Sequence, residues 1–378
     1  MRVSVVLFAL AMLLLPVRAE KPIQVTPVTV EQLEATLASS RGVADDRLAE
    51  QLSDLELTQR LGTVRQAHLD AALPGPASRR ALATLADAAE FLDLPLVDIL
   101  STPAPDHARQ TALLSLTRAY VVKTILKLPN FFATRDTTNF ERAAEKSAAP
   151  AANADHHFPL HPVSHSTVTV LYRDNRELVA KGNGRDAYTK QLRTIGEFGP
   201  ILATVLQDAA RGRVTWSHWE YGPNGPMAVF RYDISKEESH YMVSNVDIEQ
   251  GSQRDPAYHG EIGVDTEDGS ILRLTSIADM RPDNPITSAN ILVNYGPVEI
   301  GGVAYTCPVK SVALSRVRMV VQELNFSTGA VEGSSLGPAK VYLNEVLFKD
   351  YHRFRADARI LAGDAADPDV SASANSPR

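Results

Sequence analysis

Apolar positions change their period near the middle of the chain. Over residues 29–128 they recur every three or four positions, as on one face of a helix. Thr29 with Gln32 reads as a capping box, and Val30, Leu33 and Leu37 then share a face. Leu48 and Leu52 continue the stripe. Ser53 with Glu56 reads as a second box, leading into Leu57, Leu61 and Val64. Pro74-Gly75-Pro76 breaks the chain, and Leu82, Leu85 and Leu92 mark a helix that stops near Pro95. Asp106 caps a last helix carrying Leu113, Leu116 and Tyr120, and Pro129 ends it. The pattern predicts an all-helical module of about five helices with their stripes turned to a core.

From residue 166 the period becomes two. "STVTVLYR", "VTWSHWEY", "MAVFRYDI", "SHYMVSNV", "YHGEIGVD", "SILRLTSI" and "SANILVNY" alternate, as do "VAYTCPVKSVALSRVRM" and "KVYLNEVLF". Turn signals separate them at Asp174-Asn175, Pro223-Asn224-Gly225, Asp268-Gly269 and Gly301-Gly302. One helical stretch, "FGPILATVLQDAA" at 198–210, interrupts. About nine or ten short strands with no alternating helices predict an antiparallel meander. A sheet that long curls or closes. The expected fold class is therefore α+β: an N-terminal all-helical domain, then a curved antiparallel β-meander, a half-barrel or partly open barrel, with one packed helix.

Composition sets the boundaries. Arg2, an apolar run from Val3 to Leu15, and "VRA" before Glu20 read as a signal peptide over 1–19. The run is too short to span a bilayer and stops at Pro16 and Arg18. The helical domain is then 20–136. "AAEKSAAPAANAD" lacks a period and predicts a flexible linker over 137–165. The β-domain covers 166–361, and 362–378 reads as a disordered tail. The expected location is secreted or periplasmic, with no transmembrane segment in the mature chain.

Formal charge is −7, and −9 once Arg2 and Arg18 leave with the signal segment. With no basic block in the sequence, a nucleic-acid partner is not expected. Cys307 is the single cysteine, so the fold has no internal disulfide and rests on packing. Its place before Pro308 in a strand pattern reads as core rather than nucleophile. No G-x-S-x-G occurs.

"DHHFPLHPVSH" gathers His156, His157, His161 and His165. His157, His161 and His165 fall at i, i+4, i+8, which would put them near one face of a helix. Pro159 and Pro162 argue against a helix there, so the segment reads as solvated linker and no metal or cofactor is expected. "DTEDG", with Asp265, Glu267 and Asp268, lacks EF-hand spacing and reads as a hairpin turn. "GNGRD" at 182–186 lacks a phosphate-loop lysine and reads as a strand exit.

Gly260, Ile262, Val264 and Asp265, then Ile271, Leu272, Arg273 and Leu274, then Tyr295, Pro297, Val298, Ile300 and Pro308, follow a recurring pattern of secreted bacterial proteins. The block, roughly 60 residues, resembles the closing strands of the lipoprotein-sorting and lipoprotein-carrier half-barrel. The helical half, with "LSDLELTQRL" and "KLPNFFATR", resembles an uncharacterised family of secreted bacterial two-domain proteins. The carrier resemblance implies a concave apolar face, lidded by helices, that holds acyl chains. It brings no catalytic residue.

The expectation is thus a non-enzymatic binding protein for an apolar ligand or a lipidated envelope partner. The alternative is a structural or interaction module of the cell envelope with no small ligand. Trp216, Trp219, Phe230 and Tyr232 are the aromatic candidates for the ligand face, although cross-strand packing explains them equally. Alternation puts Trp216 on one face and Trp219 on the other. Ile201, Leu202, Val205 and Leu206 form the candidate lid stripe. Selectivity is expected from the apolar chain, since the sequence shows no basic cluster for a headgroup.

Overall fold

The computed structural model describes residues 25–125, 128–142, 159–173, 176–179, 200–243, 253–281, 283–324 and 331–354. The expected signal segment, His156, His157, "GNGRD" and the expected tail lie outside the described residues.

The N-terminal unit is not all-helical. β1 (Thr26–Val28) precedes α1 (Val30–Ser39) and α2 (Asp45–Ser53), and β2 (Leu55–Leu57) follows. β1 and β2 pair in parallel. The expected first capping box is present: Thr29 Oγ1 accepts from Gln32 N at 3.2 Å, and Gln32 Oε1 from Thr29 N at 2.8 Å. The second is absent. Ser53 ends α2 with its hydroxyl donating to Ala49 O, and Leu55 to Leu57 leave the helical period for the short strand. α3 (Thr63–Ala72) and α4 (Pro76–Ala88) follow. Asp45 of α2 caps α4, accepting from Ala77 N and Ser78 N at 2.9 Å each. Hydrogen bonds from Ser78 hold its carboxyl below the usual range. An added Cβ at Gly75 would meet the Asp45 carboxylate, so a larger residue at this joint has to push the cap aside. Leu33, Leu48, Leu52, Leu57 and Leu82 fill the unit's own core. A 3₁₀ turn (Leu96–Asp98) leads to α5 (His107–Ile125), which Asp106 caps as expected through Arg109 N.

The sheet begins earlier than the period suggested. β3 (Phe131–Arg142) and β4 (His161–Arg173) occupy both ends of the segment expected as linker, whose middle, 143–158, lies outside the described residues. Then come β5 (Arg176–Val179), α6 (Pro200–Ala209), β6 (Arg213–Gly222), β7 (Gly225–Ile234), β8 (Met242–Val243), β9 (Gln253–Arg254) and β10 (Tyr258–Asp265). β11 (Ile271–Ala278), β12 (Ile286–Ile300), β13 (Val303–Leu324) and β14 (Val331–Arg353) complete the order. Ten strands form one open antiparallel sheet in the order β5-β4-β3-β14-β13-β12-β11-β10-β7-β6. β10 to β14 are the expected meander, and β14 closes back onto β3. β8 and β9 form a separate pair. Among the described residues no helix is long and apolar enough to cross a membrane.

Helices cover the two faces of the sheet unequally. On one face, Leu113 of α5 and Leu202 and Val205 of α6 pack on Ala228, Phe230 and Tyr232. On the other, the N-terminal unit sits over β12, β13, β14 and β3. Between these layers Phe140, Leu292, Val312 and Leu343 form a small apolar cluster with Phe91.

Candidate functional site

The eight residues expected to line a ligand pocket fill a core instead. Phe230, Tyr232 and Val205 are buried, Leu202 nearly so, and Ile201, Leu206, Trp216 and Trp219 pack against them. Trp216 meets Trp219 edge-on at 4.8 Å and Phe230 at 5.5 Å. The tryptophans share one face, against the expectation from alternation. The β6–β7 register shifts between Trp216 and His218, so one extra residue, Ser217, restores Trp219 to the side of Trp216. The same bulge turns His218 and Glu220 to the opposite face.

There Glu220 meets charge from both layers. Its carboxylate accepts from Arg60 of the N-terminal unit at 3.0 and 2.8 Å and from Arg273 of β11 at 3.0 Å. All three side chains are less than a tenth exposed. Burial alone would raise the Glu220 carboxyl, but His218 and Arg60 outweigh it and hold it below the usual range. Arg273 continues to Glu261 at 3.0 Å. Ser217 Oγ lies 2.9 Å from His218 Nδ1, and His218 Nε2 lies 3.4 Å from Glu220. Two guanidinium groups take up the charge of the carboxylate in this Ser–His–carboxylate contact. It is an ion-pair tie between the layers.

A second tie joins Lys310 of β13 to Asp87 of α4 at 2.6 Å and to Glu345 at 3.7 Å. Glu90 adds a further carboxyl, which burial raises. Burial also lifts Asp87 to about 7 against the pull of Lys310, with Glu345 adding to the rise. The Lys310 ammonium is opposed by burial, yet Asp87 and Glu345 push its pKa up. The folded state therefore holds the Asp87 proton at pH values where the unfolded chain has lost it. Stability from this group is present below about pH 4 and is lost as pH rises towards 7, by at most about 1.4 kcal/mol per pH unit. Urea melts of the native chain and Asp87→Asn at about pH 5 and pH 8 check this. The native chain's advantage over the variant should shrink at the higher pH; a constant difference would mean that Lys310 keeps Asp87 ionised throughout.

Beside these ties the layers separate. A cavity of about 780 Å³ opens between α2, β2 and α4 above and β3, β4, β12, β13 and β14 below. Leu52, Leu57 and Leu85 line its roof, and Phe140, Leu314 and Val341 its floor. Apolar surface outweighs polar surface in the lining. Its size falls within the range of pockets that hold drug-sized ligands, about 300–1,000 Å³. Three arginines interrupt the apolar wall: Arg80 of α4, Arg142 of β3 and Arg316 of β13. The expectation of no basic cluster is thus corrected. These residues are scattered along the sequence and meet only across the layers.

The remaining candidates fall elsewhere. His161 and His165 lie on β4, and His165 Nε2 pairs with Asp136 at 2.5 Å. Among the described residues no group of three His, Cys, Asp or Glu side chains is arranged to hold a metal. "DTEDG" is the turn between β10 and β11, where Asp265 and Asp268 accept from Glu267 N and Ser270 N at 2.8 Å each. Cys307 is buried in β13, which pushes its thiol up to about 12 and leaves it a poor nucleophile near neutral pH.

No family model matches the chain, and no curated protein matches it. Among solved structures it is similar to a DUF1329 family protein from Desulfovibrio piger. The identity is 8% and the TM-score 0.28, over 65% of this chain and 93% of that one. It also aligns with the enduracididine biosynthesis enzyme MppR, at 9% identity and TM-score 0.09, over 60% of this chain and 90% of that one. Similarity at these TM-scores assigns neither fold nor function.

Proposed function

We propose that the chain is an exported, non-enzymatic binding protein that holds an apolar ligand between its N-terminal unit and the sheet. The cavity of about 780 Å³, whose commonest wall residues are Leu and Ala, carries this reading. A bound alkyl chain would gain about 0.8 kcal/mol per buried methylene. The lid is then formed by α2 and α4, not by the stripe on α6 that the sequence suggested, because that stripe is committed to core.

Native mass spectrometry of protein purified without detergent tests the proposal. Bound lipid is expected, or saturable uptake of an added apolar dye, on a chain whose mass begins at Glu20. Leu314→Asp places a charge in the cavity floor and should weaken dye binding at least about tenfold. Thr84→Trp, which fills the space from α4, should do the same without adding charge. Absence of both lipid and saturable dye uptake would sink the ligand reading and leave an envelope interaction module.

A further inference from the structure

We infer that the ligand is an amphiphile with an anionic headgroup, an oxyanion on an alkyl chain, and that Arg142 receives the oxyanion. This inference rests on the cavity reading above and names its chemistry. Lining the cavity are the three guanidinium groups of Arg80, Arg142 and Arg316 and the single carboxylate of Glu56. The lining is therefore cationic in a chain whose formal charge is −7.

The three arginines are not equivalent. Arg80 and Arg316 are exposed, and no carboxylate pairs with either among the described residues. They mark the open rim. Arg142 is deeper, its side chain only 11% exposed, and its Nη1 donates to Glu56 Oε1 at 2.8 Å. Its Nε is buried and has no hydrogen-bond partner among the described residues. A buried guanidinium donor left unmatched is costly, and such groups in native proteins ordinarily find an acceptor. Glu56 takes up Nη1; Nε is closed off from the cavity as the side chain stands, and an oxyanion would meet it once the guanidinium turns towards the open space. An apolar ligand without a charged end would leave Nε unmatched and would bury one more face of the guanidinium against hydrocarbon. The exposed pair at the rim adds attraction for an anion approaching from solvent, weakened by salt. A carboxylate and a phosphate monoester share this chemistry.

The test uses the full chain, stripped of bound lipid, with displacement of an apolar dye by hexadecanol, palmitate and lysophosphatidate. Palmitate or lysophosphatidate should displace the dye about tenfold more effectively than hexadecanol, the gain of a charge-assisted hydrogen bond. A preference for palmitate identifies a carboxylate ligand, and a preference for lysophosphatidate a phosphate. Arg142→Met should abolish the preference while hexadecanol binds as before. Glu56→Gln, which removes the competing carboxylate, should strengthen it. Equal displacement by all three probes would overturn the headgroup assignment and leave the apolar cavity reading standing. No displacement by any of them, with dye binding also absent, would overturn the cavity reading itself. An anion preference that survives in Arg142→Met and does not grow in Glu56→Gln would show that the rim, not Arg142, selects the ligand.

Discussion

Glu220→Ala is expected to lower the stability of the chain by about 3–5 kcal/mol in urea denaturation. The carboxylate is buried with both of its guanidinium partners, Arg60 and Arg273, each under a tenth exposed. Removing it leaves two positive charges in a site that water does not reach. Arg273 keeps Glu261, but Arg60 loses both of its hydrogen bonds to the acid. The cost is that of stranding charge, more than the worth of the pair itself. A triple change of Glu220, Arg60 and Arg273 to apolar residues should therefore cost much less than the single one. A loss below about 1 kcal/mol for Glu220→Ala would mean that water enters between the layers, as it does around surface ion pairs. Arg60 belongs to the N-terminal unit and Glu220 to β6, so the same measurement reports how firmly that unit is held.

The second large effect falls on a glycine. Gly260 pairs with Tyr232 across β10 and β7, and the tyrosine hydroxyl reaches over it to donate to Thr275 O of β11 at 2.5 Å. The regular β10–β11 pairing is interrupted there, passing from His259 with Ile277 directly to Ile262 with Leu274. Side chains fill the gap: Tyr232 takes the free carbonyl, and Thr275 Oγ1 accepts from Glu261 N at 2.8 Å. A Cβ on Gly260 would collide with the Thr275 carbonyl and stand 2.8 Å from the Tyr232 hydroxyl. Gly260→Ala is therefore expected to cost roughly 2–6 kcal/mol, overpacking plus a lost buried hydrogen bond. Tyr232→Phe should cost only the second part, roughly 1–3 kcal/mol, since it strands one carbonyl. In the double variant the losses should not add, because both act on the same contact. A thermal melt of Gly260→Ala within experimental error of the native chain would show that the strands can part at no cost.

Periodicity carried most of the fold. β10 occupies the residues of "YHGEIGVD", α6 begins within two residues of its predicted start, and the sheet's main run follows the predicted order. What escaped has physical causes. β3 falls across the end of the expected helical domain and the start of the expected linker, because Arg135 and Asn139 take buried positions on it, which breaks the apolar alternation that marks a strand. Arg135 is held there by Glu177, at 3.7 Å. The exchanged faces of Trp219 and Glu220 came from a single bulged residue, Ser217, which no period-two reading detects. The second capping box failed because Leu55–Leu57 pair with β1, a tertiary choice that overrode a local one. The cavity was illegible for a plainer reason: Arg80, Arg142 and Arg316 belong to three elements, and only the docking of α4 over β3 and β13 brings them to one space. Counting charges along the sequence finds no cluster where folding makes one.

The pairing of β14 with β3 also bears on how the chain reaches this state. Lys340 and Glu141, which join across that pairing, are 199 positions apart. β3 is therefore made long before its partner strand exists, and through that interval one side of it has no neighbour from β14. Contacts this distant demand a large loss of chain entropy before they return any stabilisation, which places the sheet among slowly folding topologies. The N-terminal unit, by contrast, draws its core from residues near one another in sequence, Val28 to Ala89. The order of assembly that topology favours is thus an early-folding cap waiting on a late sheet, with the cavity coming into being only at the last step.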